Sequence, residues 1–443
     1  MVPQLPQSWH KTLLAAASFG FIGLVSQSWA TPVFVLAVLT VNFCTLSQSL
    51  QNIHWRRALL VANWSVLPGG FYLLQTQGWV GVLSGDAAGL SANMALFLGL
   101  PFYILSIIAL NHDIQTGKIQ RPHIQDYILY GVYFPKFLSG PVEQPSFLKK
   151  LSDYRFVFDA QRWESGFEWV ILGMFCKFIV AQYLSRNVYW LEMHDLPKIL
   201  LSVCAFELQV YFDLGGYSFM AFGASKMLGL DLTLNFNHPF FAGDIRTFWQ
   251  RWHTSLGRWF FQYIYSPLRS IGGSSEFIKI SLPILIFLVS AVWHGQTLNF
   301  LVWGLWHGLV YTLYVKICSR FKWPGAVGLL SLLTVLMIGR LLFMESTFPY
   351  LLLKINRLLD PVAWQALFST SLVSNFDLSE PACVDLLFAL LLCGVFIAAE
   401  YWNQRHNLQP YAVFRRPWGQ WLMIVAGIVL VEGSPTGFIY ARQ

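Results

Sequence analysis

The chain has 443 residues, of which 56% are hydrophobic and only 12% are charged. Soluble domains carry about 25% charged residues, so this chain lacks the polar side chains needed to cover a water-exposed surface. The composition excludes an ordinary soluble enzyme, a disordered chain and a fibrous protein. The net charge of +7 comes from short basic clusters between apolar runs. Such clusters are typical of cytoplasmic loops that face anionic lipids, and they do not indicate nucleic-acid binding.

Apolar runs follow one another along the sequence, and a transmembrane helix needs about 20 such residues. Some runs are too short or too polar to cross alone, so we expect an all-α polytopic membrane protein with roughly nine to eleven spans. The runs 126–139 and 198–222 contain Gly, Pro or acidic residues, which favours buried or re-entrant helices. The runs lie at about 12–29, 31–50, 58–75, 92–111, 126–139, 165–184, 198–222, 277–293, 297–317, 325–344, 382–400 and 418–432.

Basic residues in short loops predict the orientation of the chain. Loops 51–57, 112–125, 316–322 and 401–417 carry Lys or Arg, which predicts that they lie in the cytoplasm together with the N-terminus. We find no internal repeat and no low-complexity linker, so we expect one membrane domain over 1–443. A transporter without acyl chemistry is the weaker alternative, because transporters commonly show repeat symmetry.

The segment 249–306 contains six of the 19 Trp residues. Interfacial anchoring explains Trp at membrane edges, but it does not explain His294, which lies in a run, 281–295, without Asp, Glu, Lys or Arg. An ionisable residue at that depth is a functional-site hypothesis. A neutral imidazole is a good base near pH 7 and costs less to bury than a carboxylate. A core histidine bonded to a neighbouring carbonyl is the alternative.

Five short motifs favour the functional interpretation of His294 over the structural one. They are YFPKFLSGPVEQPSF at 133–147, NFNHPFF at 235–241, RTFWQRWHTSL at 246–256, WHG at 293–295 and GFIY at 437–440. Together they resemble the membrane-bound O-acyltransferase (MBOAT) superfamily, specifically its bacterial branch of alginate O-acetylation and teichoic-acid D-alanylation proteins. The resemblance covers about 130–440, whereas 1–125 carries no recognisable motif.

The resemblance implies a ring of tilted helices around a funnel, and transfer of an acyl group from a thioester onto a hydroxyl. The family's active-site histidine falls on His294, and its second functional histidine falls on His253. A base must take the proton of the acceptor hydroxyl, which suits His294, and a transient acyl-histidine is the alternative. The tetrahedral oxyanion needs a hydrogen-bond donor, for which His253, Trp252 and Asn299 are candidates.

Several other polar residues have two interpretations each. Glu207 and Asp213 lie near Lys226 in an apolar run, where we favour a structural ion network over a role in orienting substrate. The motif NFNHPFF either caps a helix or lines the cytoplasmic entrance. His307 belongs to a second WHG, for which helix packing is favoured over support of His294. The candidate tunnel-lining residues are Trp252, Trp293, Asn299, Asn237, Glu207 and Asp213.

One departure from the family is visible. The family commonly has an Arg-Asp pair after the RWHxSL motif, where this chain has Phe261 and Gln262. An ion pair expected there is therefore missing, which affects the substrate and any partner docking that relies on those charges.

The sequence contains no CxxC, HExxH or phosphate-binding loop, so we expect no metal and no bound cofactor. The expected co-substrate is acetyl-CoA or an acyl-carrier-protein thioester, and the expected acceptor is a hydroxyl of a cell-envelope polysaccharide or a partner protein. The resemblance also implies an extracytoplasmic delivery partner and the bacterial cytoplasmic membrane as location. We favour acetyl transfer to an exopolysaccharide, with D-alanyl transfer to teichoic acid as the alternative.

Overall fold

A computed structural model gives the fold. The predicted run 58–75 and the terminal GFIY sequence lie outside the residues that the structure describes. In the described part of the chain the regular secondary structure is helical, without a strand, which confirms the all-α prediction. The described residues are 6–26, 29–49, 54, 90–185, 196–273, 275–295, 297–320, 325–345, 347–369 and 381–430.

Within the described residues before position 190, we number seven helices. Helix α7 continues as a π-helical segment, Cys176–Ala181, and ends with Gln182–Ser185. The seven are α1 (Gln7–Val25), α2 (Ala30–Ser49), α3 (Leu90–Gln115), α4 (Ile124–Val132), α5 (Phe134–Phe137), α6 (Phe147–Ser152) and α7 (Ala160–Phe175).

The later helices include a π-helical segment, Phe261–Tyr265, between α10 and α11, and 3₁₀ turns at Pro239–Phe241 and Cys318–Arg320. They are α8 (Leu196–Met227), α9 (Ile245–Arg251), α10 (Thr254–Phe260), α11 (Ser266–Gly272), α12 (Glu276–His294), α13 (Leu298–Lys316), α14 (Gly325–Met344), α15 (Phe348–Leu359), α16 (Pro361–Ser369), α17 (Pro381–Arg405) and α18 (Pro417–Leu430).

The chain is an integral membrane protein. Within the described residues, six helices are long and apolar enough to cross a membrane, and three shorter apolar helices accompany them. The predicted nine to eleven spans stay a prediction, because part of the chain lies outside the described residues. The six are Ala160–Ser185, Leu196–Met227, Glu276–His294, Leu298–Arg320, Gly325–Met344 and Val384–Arg405, and the three are Trp9–Val25, Thr31–Leu46 and Pro417–Leu430.

The chain forms two compact units. The first unit comprises Met1–Phe167 with Ala221–Leu234, and the second comprises Glu168–Met220 with Asn235–Gln443. The prediction of a single membrane domain stays a prediction.

Within the first unit, α4 is short and buried. Its nine residues span about 14 Å, which is too short to cross a bilayer. Asp126 accepts hydrogen bonds from Lys11 Nζ (2.8 Å) and Ser152 Oγ (3.0 Å), and Tyr127 donates to Asn111 Oδ1 (2.9 Å). These partners satisfy the polar groups that α4 buries. The expectation of a buried helix near 126–139 is therefore confirmed.

Helix α8 corrects one part of the sequence interpretation. It is one continuous helix of 32 residues, which corresponds to about 48 Å. Most of its apolar window is buried. The expectation of burial for 198–222 is confirmed, but the re-entrant alternative is wrong, because no break interrupts the helix.

Two glycines let α12 and α13 form a tight hairpin. A Cβ atom at Gly304 would lie 2.6 Å from the Phe287 carbonyl oxygen, and one at Gly308 would lie 2.8 Å from Ile284 Cα. Their GxxxG spacing is a known device for close helix contact in membranes. Because the chain leaves α12 at Gly295, the hairpin places residues near 294 and near 307 on two neighbouring helices.

Candidate active site

The second unit contains a cavity of about 1060 Å³. His253, His294 and His307 all line it, together with the ion pair of Glu207 and Arg340. Glu276 also lines it. Because Glu276 and His294 are the two ends of α12, the cavity extends along about 27 Å of helix. It is therefore elongated.

The end of the cavity near Glu276 is basic. Glu276 pairs with Lys279 at 2.5 Å and with Lys316, so it neutralises only part of the positive charge. Such a surface attracts phosphate and other anions. Besides Arg340, the basic residues that line the cavity are Arg246, Arg258, Arg269, Lys279, Lys316 and Arg320.

His294 lies at the opposite end, among aromatic rings. Its ring centroid is 4.7 Å from that of Trp293, 5.4 Å from Trp303 and 5.1 Å from Phe343. These rings fix the imidazole by packing at the last residue of a regular helix. His294 is half-buried and lines the cavity, so a substrate can reach it.

His253 is held in a different way. It precedes α10 with φ of 45° and ψ of 54°, the left-handed region, which costs about 1–3 kcal/mol for a non-glycine residue. Only 6% of its surface is exposed. Burial lowers the pKa of His253 to about 4, so its imidazole is neutral near pH 7.

Asn235 fixes the backbone around His253. The Asn235 carbonyl accepts from Thr254 N at 2.9 Å, and its Oδ1 accepts from Ser255 Oγ at 2.6 Å. Its own amide donates to Ser218 Oγ of α8 at 2.9 Å. These bonds tie the connection that carries His253 to a long buried helix.

A buried polar cluster contacts the segment next to Asn235 at the Phe236 carbonyl. Tyr211 donates to Glu400 Oε1 at 2.6 Å, and His238 Nδ1 lies 3.3 Å from that oxygen. The hydroxyl of Tyr411 lies 3.1 Å from that of Tyr211 and 3.3 Å from the Phe236 carbonyl. Tyr211 donates its hydroxyl hydrogen to Glu400, and the hydroxyl of Tyr411 donates to the Phe236 carbonyl. His238 and Tyr411 also have positive φ angles, so strained backbone concentrates here.

Arg340 connects the surroundings of the two histidines. Its Nε donates to Glu207 Oε2 at 2.5 Å. Its guanidinium carbon lies 5.8 Å from the ring centroid of Trp252 and 5.4 Å from that of Phe343. Trp252 precedes His253, and Phe343 packs against His294. A fixed positive charge therefore lies between the two regions.

His307 lies further along the hairpin. Its ring centroid is 5.2 Å from those of Trp249 and Trp303 and 5.9 Å from Phe287. The side of the ring towards α14 is closed as well, because a Cβ at Gly339 would collide with it. Trp303 separates His307 from His294, so these contacts agree with the helix-packing interpretation.

Four of the predicted tunnel-lining residues are not among the residues that line this cavity. Asn299 is fully buried and donates to the Glu345 carbonyl at 2.7 Å, so its amide is already engaged and does not face the cavity. Asn237 is exposed, and its backbone N–H donates to the Arg251 carbonyl.

Trp293 and Asp213 are the other two. Trp293 packs against His294 from outside the cavity lining. Asp213 pairs with Lys177 and not with Lys226. The favoured ion network therefore exists, but its cations are Lys177 and, for Glu207, Arg340.

The position of the missing Arg-Asp pair is aromatic. Phe261 stacks on Tyr265 with ring centroids 5.3 Å apart, and both line the cavity. Gln262 Nε2 donates to the Tyr263 hydroxyl at 3.3 Å. Phe261 is exposed, so the cavity wall carries an aromatic stack at this position.

The sequence profile described as MBOAT, membrane-bound O-acyltransferase family, matches residues 16–326. The chain belongs to the membrane-bound O-acyltransferase family. The resemblance read from the motifs is thereby confirmed.

Three relatives are similar to this MBOAT protein. A teichoic acid D-alanyltransferase of Bacillus subtilis (strain 168) is 27% identical over 52% of this chain and 62% of the relative. A probable alginate O-acetylase AlgI of Azotobacter vinelandii is 27% identical over 72% and 63%. A peptidoglycan O-acetyltransferase of Helicobacter pylori is 30% identical over 42% and 36%. The chain thus spans less than two thirds of the length of each.

Sequence reasoning missed two residues of this MBOAT site. Arg340 lies in a run that we interpreted only as a span, although a lone Arg in an otherwise uncharged helix of 20 residues is itself a signal. Asn235 was assigned to a cap or an entrance, whereas it fixes the chain beside His253. Among the described residues, no cluster of three or more His, Cys, Asp or Glu is placed to hold a metal ion.

Proposed function

We propose that this protein transfers an acyl group, most simply acetyl, from a thioester donor to a hydroxyl. One observation carries the proposal: His253 and His294 line the same elongated cavity, which is basic at the end remote from His294. Family membership agrees with this chemistry. The arrangement gives a base, an elongated cavity and a basic end that attracts an anionic donor.

In this proposal His294 acts as the general base. The acceptor hydroxyl gives its proton to the neutral imidazole as its oxygen attacks the thioester carbonyl carbon. The C–O bond forms, the carbonyl π electrons move to oxygen, and His253 and Trp252 donate to that oxyanion. Collapse breaks the C–S bond, and the thiolate leaves with the proton returned by His294. The aromatic walls limit access of water, which would otherwise hydrolyse the donor.

The donor is proposed to enter from the basic end. Both acetyl-CoA and a carrier-protein thioester carry phosphate groups, which Lys and Arg bind well. The loop 316–322 was assigned to the cytoplasm from its charges, and Lys316 and Arg320 line this end of the cavity. We therefore propose a cytoplasmic thioester as co-substrate.

The acceptor is proposed to be a hydroxyl of a bacterial cell-envelope polysaccharide, reached from the outer side of the cytoplasmic membrane. The alginate and peptidoglycan O-acetyltransferase relatives favour acetyl transfer. The teichoic acid D-alanyltransferase relative favours the second candidate, D-alanyl transfer from a carrier-protein thioester. In either case we propose a separate extracytoplasmic partner that completes delivery.

The test is transfer of radiolabelled acetyl from acetyl-CoA by the full chain, purified in detergent, to an added exopolysaccharide. His294→Ala is run beside it, with His406→Ala as matched control because His406 is exposed and stacks on Trp402 outside the cavity. Label on the acceptor that disappears only in His294→Ala supports the proposal. Label delivered only from a D-alanyl carrier-protein thioester supports the second candidate. No transfer from either donor overturns both.

A further inference from the structure

Arg340 is the one charged residue of α14. Placing a guanidinium in an apolar helix costs free energy, so the presence of Arg340 indicates a functional role. The side chain is 11% exposed, and the residue lines the cavity together with His253 and His294. Pairing with Glu207 explains how the charge is tolerated, but it does not explain why the pair faces the cavity.

The geometry leaves one side of the guanidinium open. Nε is fixed by Glu207, and the rings of Trp252 and Phe343 flank the group. Within the described part of the chain, the two terminal nitrogens of Arg340 make no hydrogen bond. A planar fork that is anchored at Nε and open at its tip suits an oxygen that carries negative charge.

We propose that Arg340 is a further catalytic residue that stabilises the oxyanion of the tetrahedral intermediate. The assignment rests on the proposed acyl transfer. When the acceptor oxygen bonds to the thioester carbon, the carbonyl π pair moves to oxygen, and the terminal N–H groups of Arg340 donate to it. When the oxyanion collapses, the C–S bond breaks, and the thiolate takes the proton that His294 holds. Arg340 is charged throughout, so it neither gains nor loses a proton.

Arg340 takes the role of donor to the oxyanion for which Asn299 was a candidate. The amide of Asn299 is engaged by the Glu345 carbonyl and does not line the cavity. Arg340 lies between the ring beside His253 and the ring beside His294. It is therefore close to where a thioester carbonyl must lie if His294 is to serve the attacking hydroxyl.

The second unit offers a matched control. Lys177 and Asp213 form another buried ion pair, also with its acid on α8, and neither residue lines the cavity. Both pairs are removed as a whole, Arg340→Met with Glu207→Met and Lys177→Met with Asp213→Met, so that no uncompensated charge stays buried. Arg340→Lys keeps the charge but loses the fork, and it serves as the variant most able to fold.

The experiment measures kcat and KM for the thioester donor per mole of folded protein. We expect the Arg340→Met, Glu207→Met variant to lose about 100-fold to 1000-fold in kcat with KM changed less than about threefold. Arg340→Lys should lose about tenfold, and the control pair less than about threefold.

Equal losses of kcat in the two double variants, or an unchanged kcat in Arg340→Lys, would overturn the assignment while leaving the function in place. If the wild-type protein transfers no acyl group from either donor, the proposed function and this assignment fall together.

Discussion

The regions around His294 and His253 are held in place by different interactions. His294 is the last residue of α12, where Gly295 N–H donates to the Ala291 carbonyl, and aromatic rings pack around its imidazole. His253 itself has left-handed backbone angles and lies between two short helices, α9 and α10. Its neighbours depend on bonds from Asn235.

The comparison teaches that a buried irregular segment needs polar partners from elsewhere, because buried N–H and C=O groups must be paired. At the end of α12 the backbone ladder supplies one such partner, because Gly295 N–H donates to the Ala291 carbonyl. The polar support on the His294 side is correspondingly small and charged: Asn299 donates to the Glu345 carbonyl, and the Glu345 carboxylate pairs with Lys354.

The largest expected effect is on His294. His294→Ala should lower acyl transfer by about three to four orders of magnitude, because it removes the base. The packing partners stay, so we expect the variant to remain folded and inserted. Labelled-acetyl transfer together with a melting curve checks both statements. Near wild-type transfer in this variant would show that the base lies elsewhere.

The charged support beside His294 is the next target. The side chains of Lys354 and Glu345 are only 2% and 8% exposed. Lys354→Met should destabilise the protein by about 3–5 kcal/mol, because it leaves Glu345 buried without its cation. The double variant with Glu345→Leu should recover most of that loss. Thermal unfolding in detergent measures it, and a double variant as unstable as the single one would contradict the explanation.

His253 separates side-chain chemistry from backbone conformation. His253→Asn and His253→Ala should both lower kcat by about 100-fold, because each removes the imidazole donor. Asn adopts the left-handed region more readily than Ala, so His253→Ala should be less stable by about 1 kcal/mol. Turnover and melting temperature are measured for both. Equal stability of the two variants would mean that the backbone strain has no consequence.

The pH dependence of stability tests the burial of His253. Its pKa is about 4 in the folded protein and about 6.5 in an unfolded chain. The unfolded chain therefore takes up a proton first as pH falls. The contribution of His253 is complete above pH 6.5 and is lost between pH 6.5 and pH 4, by at most about 3 kcal/mol. Melting temperatures across this window should fall less steeply in His253→Asn, and parallel curves would refute the explanation.

The smallest effect on turnover is expected at His307. It packs against Trp249, Trp303 and Phe287 on the side of Trp303 away from His294. His307→Ala should cost about 1–3 kcal/mol of stability and leave kcat within about fivefold. Measuring both on the same preparation tests the ranking. A loss of activity as large as that of His294→Ala would place His307 in the chemistry.

The sequence predicted the elements whose signal is local. A run without charges around His294 and the motif around His253 were enough to identify two of the three histidines that line the cavity. The sequence did not predict which residues form polar contacts with each other. Asn299 and Asp213 were assigned by their chemistry and nearness in sequence, but their polar groups are engaged by Glu345 and Lys177. A local sequence pattern does not indicate which side of a buried helix faces a cavity.

Composition and hydrophobic run lengths by themselves determined that this is a helical membrane protein, because the bilayer sets both the length and the polarity of what crosses it. The motif order determined the family. Only the tertiary structure decided that Arg340 and Glu207 meet in the cavity of His253 and His294, since they lie 133 positions apart. The close approach of α12 and α13 is settled in three dimensions as well, because Gly304 and Gly308 act only when a second helix packs against them.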